Sequence, residues 1–427
     1  KKGRGKKKKA AARPPVITTT WMKQERERCM CPRLGDNYQR VEVADDIRAE
    51  VCLQRLRTAE EKGLAEVDLT GGRLGHVPEE IRTARGLQSI TTVILRRNQL
   101  FNGDQVFGVL GVLPLLTTLD VSDNFLNGQL SSVIGKLRSL EVLRVDNNHL
   151  NELPDAIDNL TELSVFSCAD NQLMLVNPAM GELRNLEEIN LRGNKLQLLP
   201  LELGHWAKLS RLAAGANKIV ELPPQIGNCL ELRVLDLHNN ALTHVPLELA
   251  ACTKLEMLHL GKQNKISSIP QKIISELKNL REMYVMGNKL SSLPPELGAL
   301  AKMEKARLSV SGNNIKTIPE TIGECSEMRE IYLNNNLKMS SLPSAMSKMK
   351  LLRELSARKC KALRAMPPAI ADIECLENLD VRMDKKETCR LTPEMVAALQ
   401  EQACKVRGGV IKKAPKAKAK KQGTKAK

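Results

Sequence analysis

Apolar residues along most of the chain follow a mixed spacing that fits neither one helix nor one strand. In "LPPQIGNCLELRVLDLHNNAL" (222–242) the first apolar residues lie four apart, whereas Leu235 and Leu237 alternate with polar residues. This alternation predicts a short strand with both leucines on one face. The two prolines predict the first turn of a short helix. Asn240 follows the strand, where its amide can satisfy buried backbone groups.

The same unit recurs along the chain. The position of Asn240 is filled by asparagine at Asn98, Asn124, Asn148, Asn171, Asn194, Asn217, Asn264, Asn288, Asn313 and Asn336. Gly72, Cys360 and Asp384 hold this position in weaker copies, giving fourteen copies spaced by 23 to 26 residues. A period of about 20–29 residues with this pattern is the signature of leucine-rich repeats. The predicted fold class is α/β, a leucine-rich-repeat solenoid (horseshoe) with a parallel concave sheet, whose stacking buries leucines that one repeat could not bury.

Helical patterns flank the repeats. Residues 44–62 predict an amphipathic helix capped by Asp45 or Asp46. We expect its apolar face to contain Ile47, Val51 and Leu56. At the other end, Thr392 is the predicted N-cap of a helix that begins at Pro393 and covers the last coil. The face of that helix toward the coil is predicted to be Met395, Val396 and Leu399.

These patterns divide the chain into five parts. We predict a disordered basic tail over 1–13, a leader with a helical cap over 14–63 and a solenoid of about 14 repeats over 64–390. A second helical cap over 391–404 and a second disordered basic tail over 405–427 complete the prediction.

Charge is concentrated in the two tails. The chain carries +17, but residues 1–13 hold eight basic residues without an acid, and residues 405–427 hold ten. The remainder is near neutral. The tails have few apolar residues, which predicts disorder, and they could bind nucleic acid, an acidic protein surface or the import machinery. The candidate polyanion-binding residues are Lys6, Lys7, Lys8, Lys9, Lys412, Lys413, Lys420 and Lys421. A solvated tail without a specific partner is the alternative. No aromatic residue interleaves these lysines, so any nucleic-acid contact would be driven by phosphates.

Cysteine use and hydropathy bear on the compartment. The longest apolar run (106–116) is too short to span a membrane, and no N-terminal apolar segment resembles a signal peptide. Cys229, Cys252 and Cys325 share one position before the strand, as structural residues would. No paired cysteines flank the repeats, which favours a reducing compartment. We predict a cytoplasmic protein, with the nucleus as the alternative because of the basic clusters.

The sequence contains no motif of a phosphate-binding loop, a zinc protease or a serine hydrolase. Cys29 and Cys31 lack the second pair that a structural zinc site needs. His238 and His259 occupy exposed strand positions in adjacent repeats, within about 5–8 Å of each other. A two-histidine metal site or an acid–base pair is therefore an alternative, but surface recognition is favoured because no cysteine or third histidine joins them. We predict no enzyme activity, catalytic residue, metal or cofactor.

Residues between the buried leucines are predicted to project from the concave sheet. The predicted protein-binding residues are Asp120, Arg144, Asn190, Arg192, Asp236, His238, His259, Tyr284, Tyr332 and Arg358. Two of the chain's three tyrosines are among them, and tyrosine is enriched in interface hot spots. The alternative is that tyrosine merely suits a strand. The segment "RLAAGANKI" leaves the face bare beside Arg192 and Asp236, and we place the centre of the site there.

The repeats resemble those of intracellular leucine-rich proteins of the Ras-associated type, including the SHOC-2-like scaffolds. The matching features are the Leu-Pro starts at Leu153, Leu222, Leu293 and Leu342, and the 23-residue period. The resemblance covers about three quarters of the chain. It implies a scaffold in signalling or assembly without catalytic residues. The stretch "NFLNGQLSSVIGKL" is more similar to plant receptor repeats, and the lysine-rich tails are not part of the family pattern.

Two functions from different classes follow. The first is a non-enzymatic, monomeric scaffold or adaptor in intracellular signalling that binds a protein partner on its concave face. The second is a structural subunit of a polyanionic assembly, such as a ribosome, a nucleic-acid complex or a microtubule lattice, anchored by its tails. They differ in salt sensitivity, because binding through the tails should collapse at moderate salt.

Overall fold

A computed structural model of the chain describes residues 44–83, 85–300, 306–383 and 389–411. The described residues from Asp45 onward belong to one compact unit. The tail over 1–13, the start of the leader and all eight candidate polyanion-binding lysines lie outside the described residues. So does Asp384, the last copy of the asparagine position.

The strands are short and recur once per repeat. Their bounds are β1 Glu66–Asp68, β2 Thr92–Ile94, β3 Thr118–Asp120, β4 Asn127–Gln129, β5 Val142–Arg144, β6 His149–Glu152, β7 Val165–Ser167, β8 Glu188–Asn190, β9 Arg211–Ala213, β10 Val234–Asp236, β11 Met257–His259, β12 Glu282–Tyr284, β13 Ala306–Ser309, β14 Met328–Tyr332, β15 Glu354–Ser356, β16 Asn378–Asp380, β17 Arg390–Leu391, β18 Lys405–Arg407 and β19 Val410–Ile411.

Helical turns connect these strands. The α-helices are α1 Ala44–Lys62, α2 Glu80–Thr83, α3 Gly103–Leu110, α4 Gln271–Glu276 and α5 Pro393–Glu401. The 3-10 helices are Arg85–Ser89, Ser132–Lys136, Asp155–Asn159, Pro178–Glu182, Leu201–His205, Pro224–Asn228, Leu247–Ala251, Pro295–Leu300, Glu320–Glu324, Ser344–Lys348 and Pro368–Asp372. We call these 3-10 helices the outer arc.

Fifteen strands form one parallel sheet in the order β1-β2-β3-β5-β7-β8-β9-β10-β11-β12-β13-β14-β15-β16-β18. Each strand pairs with the strand of the next repeat, so the central residues of successive strands lie side by side. Asp236 of β10, for example, is in register with Ala213 of β9 and His259 of β11. The repeat predicted from the sequence therefore becomes one coil of a solenoid.

Stacking of the coils buries an aliphatic core. Leu235 and Leu237 are fully buried, as are the corresponding leucines of the neighbouring strands. Ile226, from the 3-10 helix that starts at Pro224, turns inward beneath them. Trp206 is the largest fully buried side chain among the described residues, and its indole N–H donates to the Met180 carbonyl at 2.8 Å. Apolar burial between coils is the main stabilising term, since a single coil cannot supply it.

The asparagines that end the strands form a continuous ladder through the core. All eleven described members are buried. In each, the side-chain oxygen accepts a backbone N–H of the preceding repeat at 2.9–3.1 Å, as Asn240 does from Ile219. The amide nitrogen of Asn240 donates to the carbonyls of Ala214 and Leu237 at 3.0 and 3.1 Å. Each asparagine thus joins two coils and satisfies buried backbone groups.

Cysteine thiols substitute for the ladder where asparagine is absent. Cys360 holds the asparagine position, and its Sγ donates to the Leu333 carbonyl at 3.3 Å. At Gly72 the position has no side chain. There Cys52 of α1 donates its thiol to the Leu69 carbonyl at 3.6 Å, and a Cβ atom on Gly72 would lie 2.4 Å from its sulfur. The glycine therefore makes room for a thiol supplied by the cap helix.

The three cysteines that share a position before the strand are structural, as predicted. Cys229, Cys252 and Cys325 are fully buried, and each donates its thiol to a carbonyl of the preceding repeat at 3.3–3.4 Å. Burial raises the pKa of each of these thiols to about 12. None of the nine cysteines that the structure describes forms a disulfide.

Both predicted cap helices are present, with a correction at the N-terminal one. The helix α1 begins at Ala44, so Asp45 and Asp46 lie in its first turn and do not precede it. Its buried face contains Cys52, Leu56 and Ala59, whereas Val51 is 46% exposed. The prediction for Val51 was wrong because a sparse apolar pattern did not fix the rotation of the helix about its axis.

The C-terminal helix α5 agrees with the sequence, but the ordered chain continues beyond it. The Thr392 hydroxyl accepts the Met395 N–H at 3.2 Å, as an N-cap does. Met395 and Leu399 are buried on the last coil. After α5 the chain returns to the sheet as β18 and pairs with β16. The start of the predicted disordered tail therefore needs correction, because backbone pairing orders Lys405–Arg407 despite their basic composition.

Among the described residues, no helix combines the length and the apolar character that crossing a membrane requires.

We predict that replacing Asn240 by alanine lowers the free energy of unfolding by about 1–3 kcal/mol. The buried Ile219 N–H would lose the Asn240 side-chain oxygen as its acceptor, and the buried Ala214 carbonyl would lose one of its two amide donors and keep the Asn217 amide. Urea denaturation followed by circular dichroism measures the change. The matched control is Asn185→Ala, because Asn185 also donates to a carbonyl one repeat away, at 2.9 Å, but at the surface. Equal denaturation midpoints for the two variants would contradict the ladder's role.

Candidate protein-binding face

The parallel register arranges the predicted recognition residues in rows across the sheet, and we call this side of the sheet the strand face. The central row contains the last residues of the paired strands: Asp120, Arg144, Ser167, Asn190, Ala213, Asp236, His259, Tyr284, Ser309, Tyr332, Ser356 and Asp380. Arg192, His238 and Arg358 lie two residues further along their repeats. All ten predicted residues therefore belong to two adjacent rows.

At the centre of the strand face, one carboxylate joins two imidazoles. His238 Nδ1 lies 2.7 Å from Asp236 Oδ1, and His259 Nδ1 lies 3.3 Å from the same oxygen. The two imidazole rings are stacked, with centroids 4.8 Å apart and planes at 16°. Burial raises the pKa of the Asp236 carboxyl, but its contacts with the two histidines outweigh burial and hold this pKa below its ordinary value. The carboxylate is therefore ionised at neutral pH.

An aromatic side chain continues this cluster along the central row. The ring of Tyr284 meets the ring of His259 edge to face, with centroids 5.3 Å apart. The Tyr284 hydroxyl donates to Glu282 Oε2 at 2.9 Å. The edge-to-face contact and the hydrogen bond hold the phenol in one orientation.

Tyr332, two strands further on, is held by the same kind of hydrogen bond. Its hydroxyl donates to Glu330 Oε2 at 2.9 Å, and Arg307 of the intervening strand pairs with Glu330 Oε1 at 3.0 Å. Glu282, Arg307 and Glu330 were not predicted as site residues. They lie two residues before the central row, at a position outside the two rows predicted to project from the sheet. The alternation of side chains along a strand could have identified it.

On one side of the cluster the strand face carries small residues. Ala213 and Gly215 precede Asp236 and His238 by one repeat. The His238 ring takes the space above Gly215, since a Cβ atom on Gly215 would lie 2.3 Å from His238 Nδ1. Arg192, one repeat before Gly215, lies 3.7 Å from Asp170. The bare position expected beside Arg192 and Asp236 is therefore filled in part by an imidazole.

Four of the predicted residues lie away from this centre. Asp120 and Arg144 precede β10 by five and four strands, Tyr332 ends the fourth strand after it, and Arg358 follows the fifth. At about 4.8 Å per strand, Asp120 and Arg358 lie about 24 Å from the centre on opposite sides. Asp120 and Arg358 also pair weakly with charged neighbours, Arg96 at 3.7 Å and Asp380 at 3.8 Å. A single small ligand could not contact the whole set.

Comparison with known proteins agrees with the repeat pattern. The model of the family described as Leucine Rich Repeat matches residues 115–137, 139–160 and 185–206. No curated protein has a sequence that matches the chain. The chain therefore contains leucine-rich repeats.

Solved structures of leucine-rich-repeat proteins share the fold. The chain is 26% identical to a leucine-rich-repeat protein of Leptospira interrogans, with a TM-score of 0.71 over 79% of this chain and 82% of that one. It is 20% identical to the functional domain of InlJ from Listeria monocytogenes, which includes a cysteine ladder, with a TM-score of 0.63 over 78% of this chain and 65% of that one. It is 21% identical to the plant peptide hormone receptor RGFR1 in complex with RGF2, with a TM-score of 0.51 over 79% and 68%.

The fold is a leucine-rich-repeat solenoid with a large parallel sheet. Proteins built from such repeats generally act as protein-binding scaffolds. These likenesses do not separate the Ras-associated subtype, which the repeats resemble, from other leucine-rich repeats.

We predict that Tyr284 and Tyr332 ionise above the ordinary phenol pKa of about 10. Burial and the adjacent glutamates raise the pKa of both phenols. Because the folded-state pKa is the higher one, the stability that these groups contribute is present below pH ~10 and is lost as pH rises through the folded-state value. The tyrosinate absorbance, recorded with circular dichroism, measures the titration.

The variants Tyr284→Phe and Tyr332→Phe should each remove one late-ionising phenol from the titration curve, and Tyr38→Phe serves as the comparison variant. Ionisation of both phenols near pH 10 in a chain that is still folded would contradict their placement against Glu282 and Glu330.

Proposed function

We propose that the chain is a non-enzymatic, monomeric scaffold or adaptor that binds a protein partner on the strand face. The proposed centre contains Arg192, Asp236, His238, His259 and Tyr284, and the proposed flanks are Asp120, Arg144, Asn190, Tyr332 and Arg358. The observation that carries the proposal is the fixed geometry of the aromatic and charged side chains in the central row. Ordered side chains lose less entropy when a partner binds, and tyrosine and arginine dominate interface hot spots.

The size of the proposed surface fits a protein better than a small molecule. The proposed residues extend about 24 Å to either side of Asp236, which is the scale of a standard protein interface. The plant receptor RGFR1, which is similar in fold alone, is solved in complex with RGF2. That likeness supports a role for this fold in recognition but does not identify the partner here.

The repeat type and the cysteines support the proposed pathway class and the proposed cellular location. Leu-Pro starts and a 23-residue period are typical of the intracellular, Ras-associated scaffolds that the repeats resemble, so we propose a role in intracellular signalling. Eight of the nine described cysteines are buried free thiols, which suits a reducing compartment. The proposed location is the cytoplasm.

The alternative function is that of a structural subunit anchored to a polyanionic assembly. It is supported only by the positive charge of the two tails. Those lysines lie outside the described residues, and the strand face carries charges of both signs. The two functions separate in one experiment, because association through lysine tails weakens steeply with salt whereas a packed interface persists.

The test is affinity purification of the full chain and of a Tyr284→Ala, Tyr332→Ala double variant from the source cell, washed at low and moderate salt. We expect a salt-resistant protein partner to be lost from the double variant, with affinity reduced at least about tenfold. Leu201→Ala with Leu247→Ala is the matched control, because both leucines are exposed on the outer arc.

A third chain, lacking residues 1–13 and 412–427, keeps β18 and tests the tails. The proposal predicts that this chain retains the same partner at moderate salt. Retention of the partner by the tyrosine double variant, or loss of every partner together with the tails, would contradict the proposal.

A further inference from the structure

The central cluster combines three groups that bind metal ions. One ligand atom from each of Asp236, His238 and His259 lies within 4.8 Å of the other two. The sequence favours surface recognition over a metal because neither a cysteine nor a third histidine joins the two histidines. The register of β10 and β11 adds the carboxylate, since Asp236 is directly opposite His259.

The imidazole of His259 is buried without a hydrogen-bond partner. The whole residue is 8% exposed, and neither ring nitrogen makes a hydrogen bond within the part of the chain that the structure describes. The contact of its Nδ1 with Asp236 at 3.3 Å is an electrostatic approach whose geometry does not make a hydrogen bond. A buried polar nitrogen without a partner is costly and uncommon in native proteins. A ligand that accepts a nitrogen lone pair would remove this cost.

One glycine leaves the space that the His238 ring occupies. A Cβ atom at Gly215 would lie 2.3 Å from His238 Nδ1, so any other residue there would displace the ring. At Gly261, a Cβ atom would meet Met286 Cγ at 2.9 Å and would be in ordinary contact with His259 Nε2 at 3.4 Å. Gly215 therefore lets the His238 ring stack on the His259 ring beside the carboxylate.

We propose that Asp236, His238 and His259 bind a divalent transition-metal ion of the Zn²⁺ type on the strand face. Two imidazoles and one carboxylate are a ligand set that such ions accept, with bonds of about 2.0–2.2 Å. In a tetrahedral site with these bond lengths, ligand atoms are about 3.4 Å apart. The most widely separated ligand atoms of the cluster, which lie within 4.8 Å of one another, therefore need to approach by at most about 1.4 Å.

A site with three protein ligands leaves a fourth position open. The cluster lies on the exposed side of the sheet, so water or a side chain of a partner could complete the coordination. The proposal does not rest on partner binding, because the three ligands belong to this chain. Calcium and magnesium, which prefer oxygen ligands, should bind poorly.

Titration of the full-length chain with ZnCl₂ in a calorimeter tests the site. We expect the wild-type chain to bind one more equivalent of Zn²⁺ than a His238→Ala, His259→Ala double variant, and CaCl₂ to give no comparable signal. Loss of a direct ligand should weaken binding more than the roughly 10–100-fold that loss of a supporting residue costs. His205→Ala with His244→Ala is the matched control, because both histidines are exposed and lie outside the cluster.

Two further measurements keep the test decisive. Asp236→Asn preserves the shape of the side chain, so it reports on the site even where the alanine variants fold poorly, and it should weaken Zn²⁺ binding. The Co²⁺ absorption spectrum separates this site from the cysteines, because nitrogen and oxygen ligands give no thiolate charge-transfer band. Wild-type affinity for Zn²⁺ in the folded double variant or in Asp236→Asn would overturn the proposal, as would a Co²⁺ spectrum with thiolate bands alone.

Discussion

The asparagine ladder is the constraint on which the rest of the structure depends. Eleven of the described coils end their strand in a tight turn that buries backbone N–H and carbonyl groups, and one asparagine amide in each satisfies such groups in two neighbouring coils, as Asn240 does. Because the amide reaches from one repeat to the next, it fixes the register of neighbouring strands as well as their stability. Where asparagine is missing, a thiol from Cys360 or Cys52 donates to the corresponding carbonyl.

The strand register places equivalent residues of successive repeats side by side on one surface. The strands pair in parallel and in register. The residue between the two buried leucines of one repeat therefore lies beside the equivalent residue of the next repeat. Asp236, His259 and Tyr284 come from three repeats and form one continuous group for this reason. The charges and aromatic rings of the strand face are thus positioned by the core beneath them, which is the rigid support that a recognition site needs.

The sequence was sufficient for the fold because the repeat specifies it fourteen times, and the fold together with the positions of the central row agrees with the structure. The site was less predictable. The link between Asp236 and both histidines depends on side-chain rotamers and on the space above Gly215, and neither has a periodic signal. The contribution of Glu330 was missed because its strand position had not been considered. Val51 and Lys405 were misjudged because amphipathicity in α1 is weak and because backbone pairing in β18 is independent of side-chain charge.

The central claim is that the strand face around Tyr284 contacts a protein partner. Site-specific photo-crosslinking in the source cell tests it most directly, with a photoreactive residue placed at Tyr332, at Arg192 or, as the comparison, at Leu247 on the outer arc. The account predicts that both strand-face positions crosslink to the same protein and that Leu247 does not. Crosslinks to that protein from Leu247 alone would contradict it.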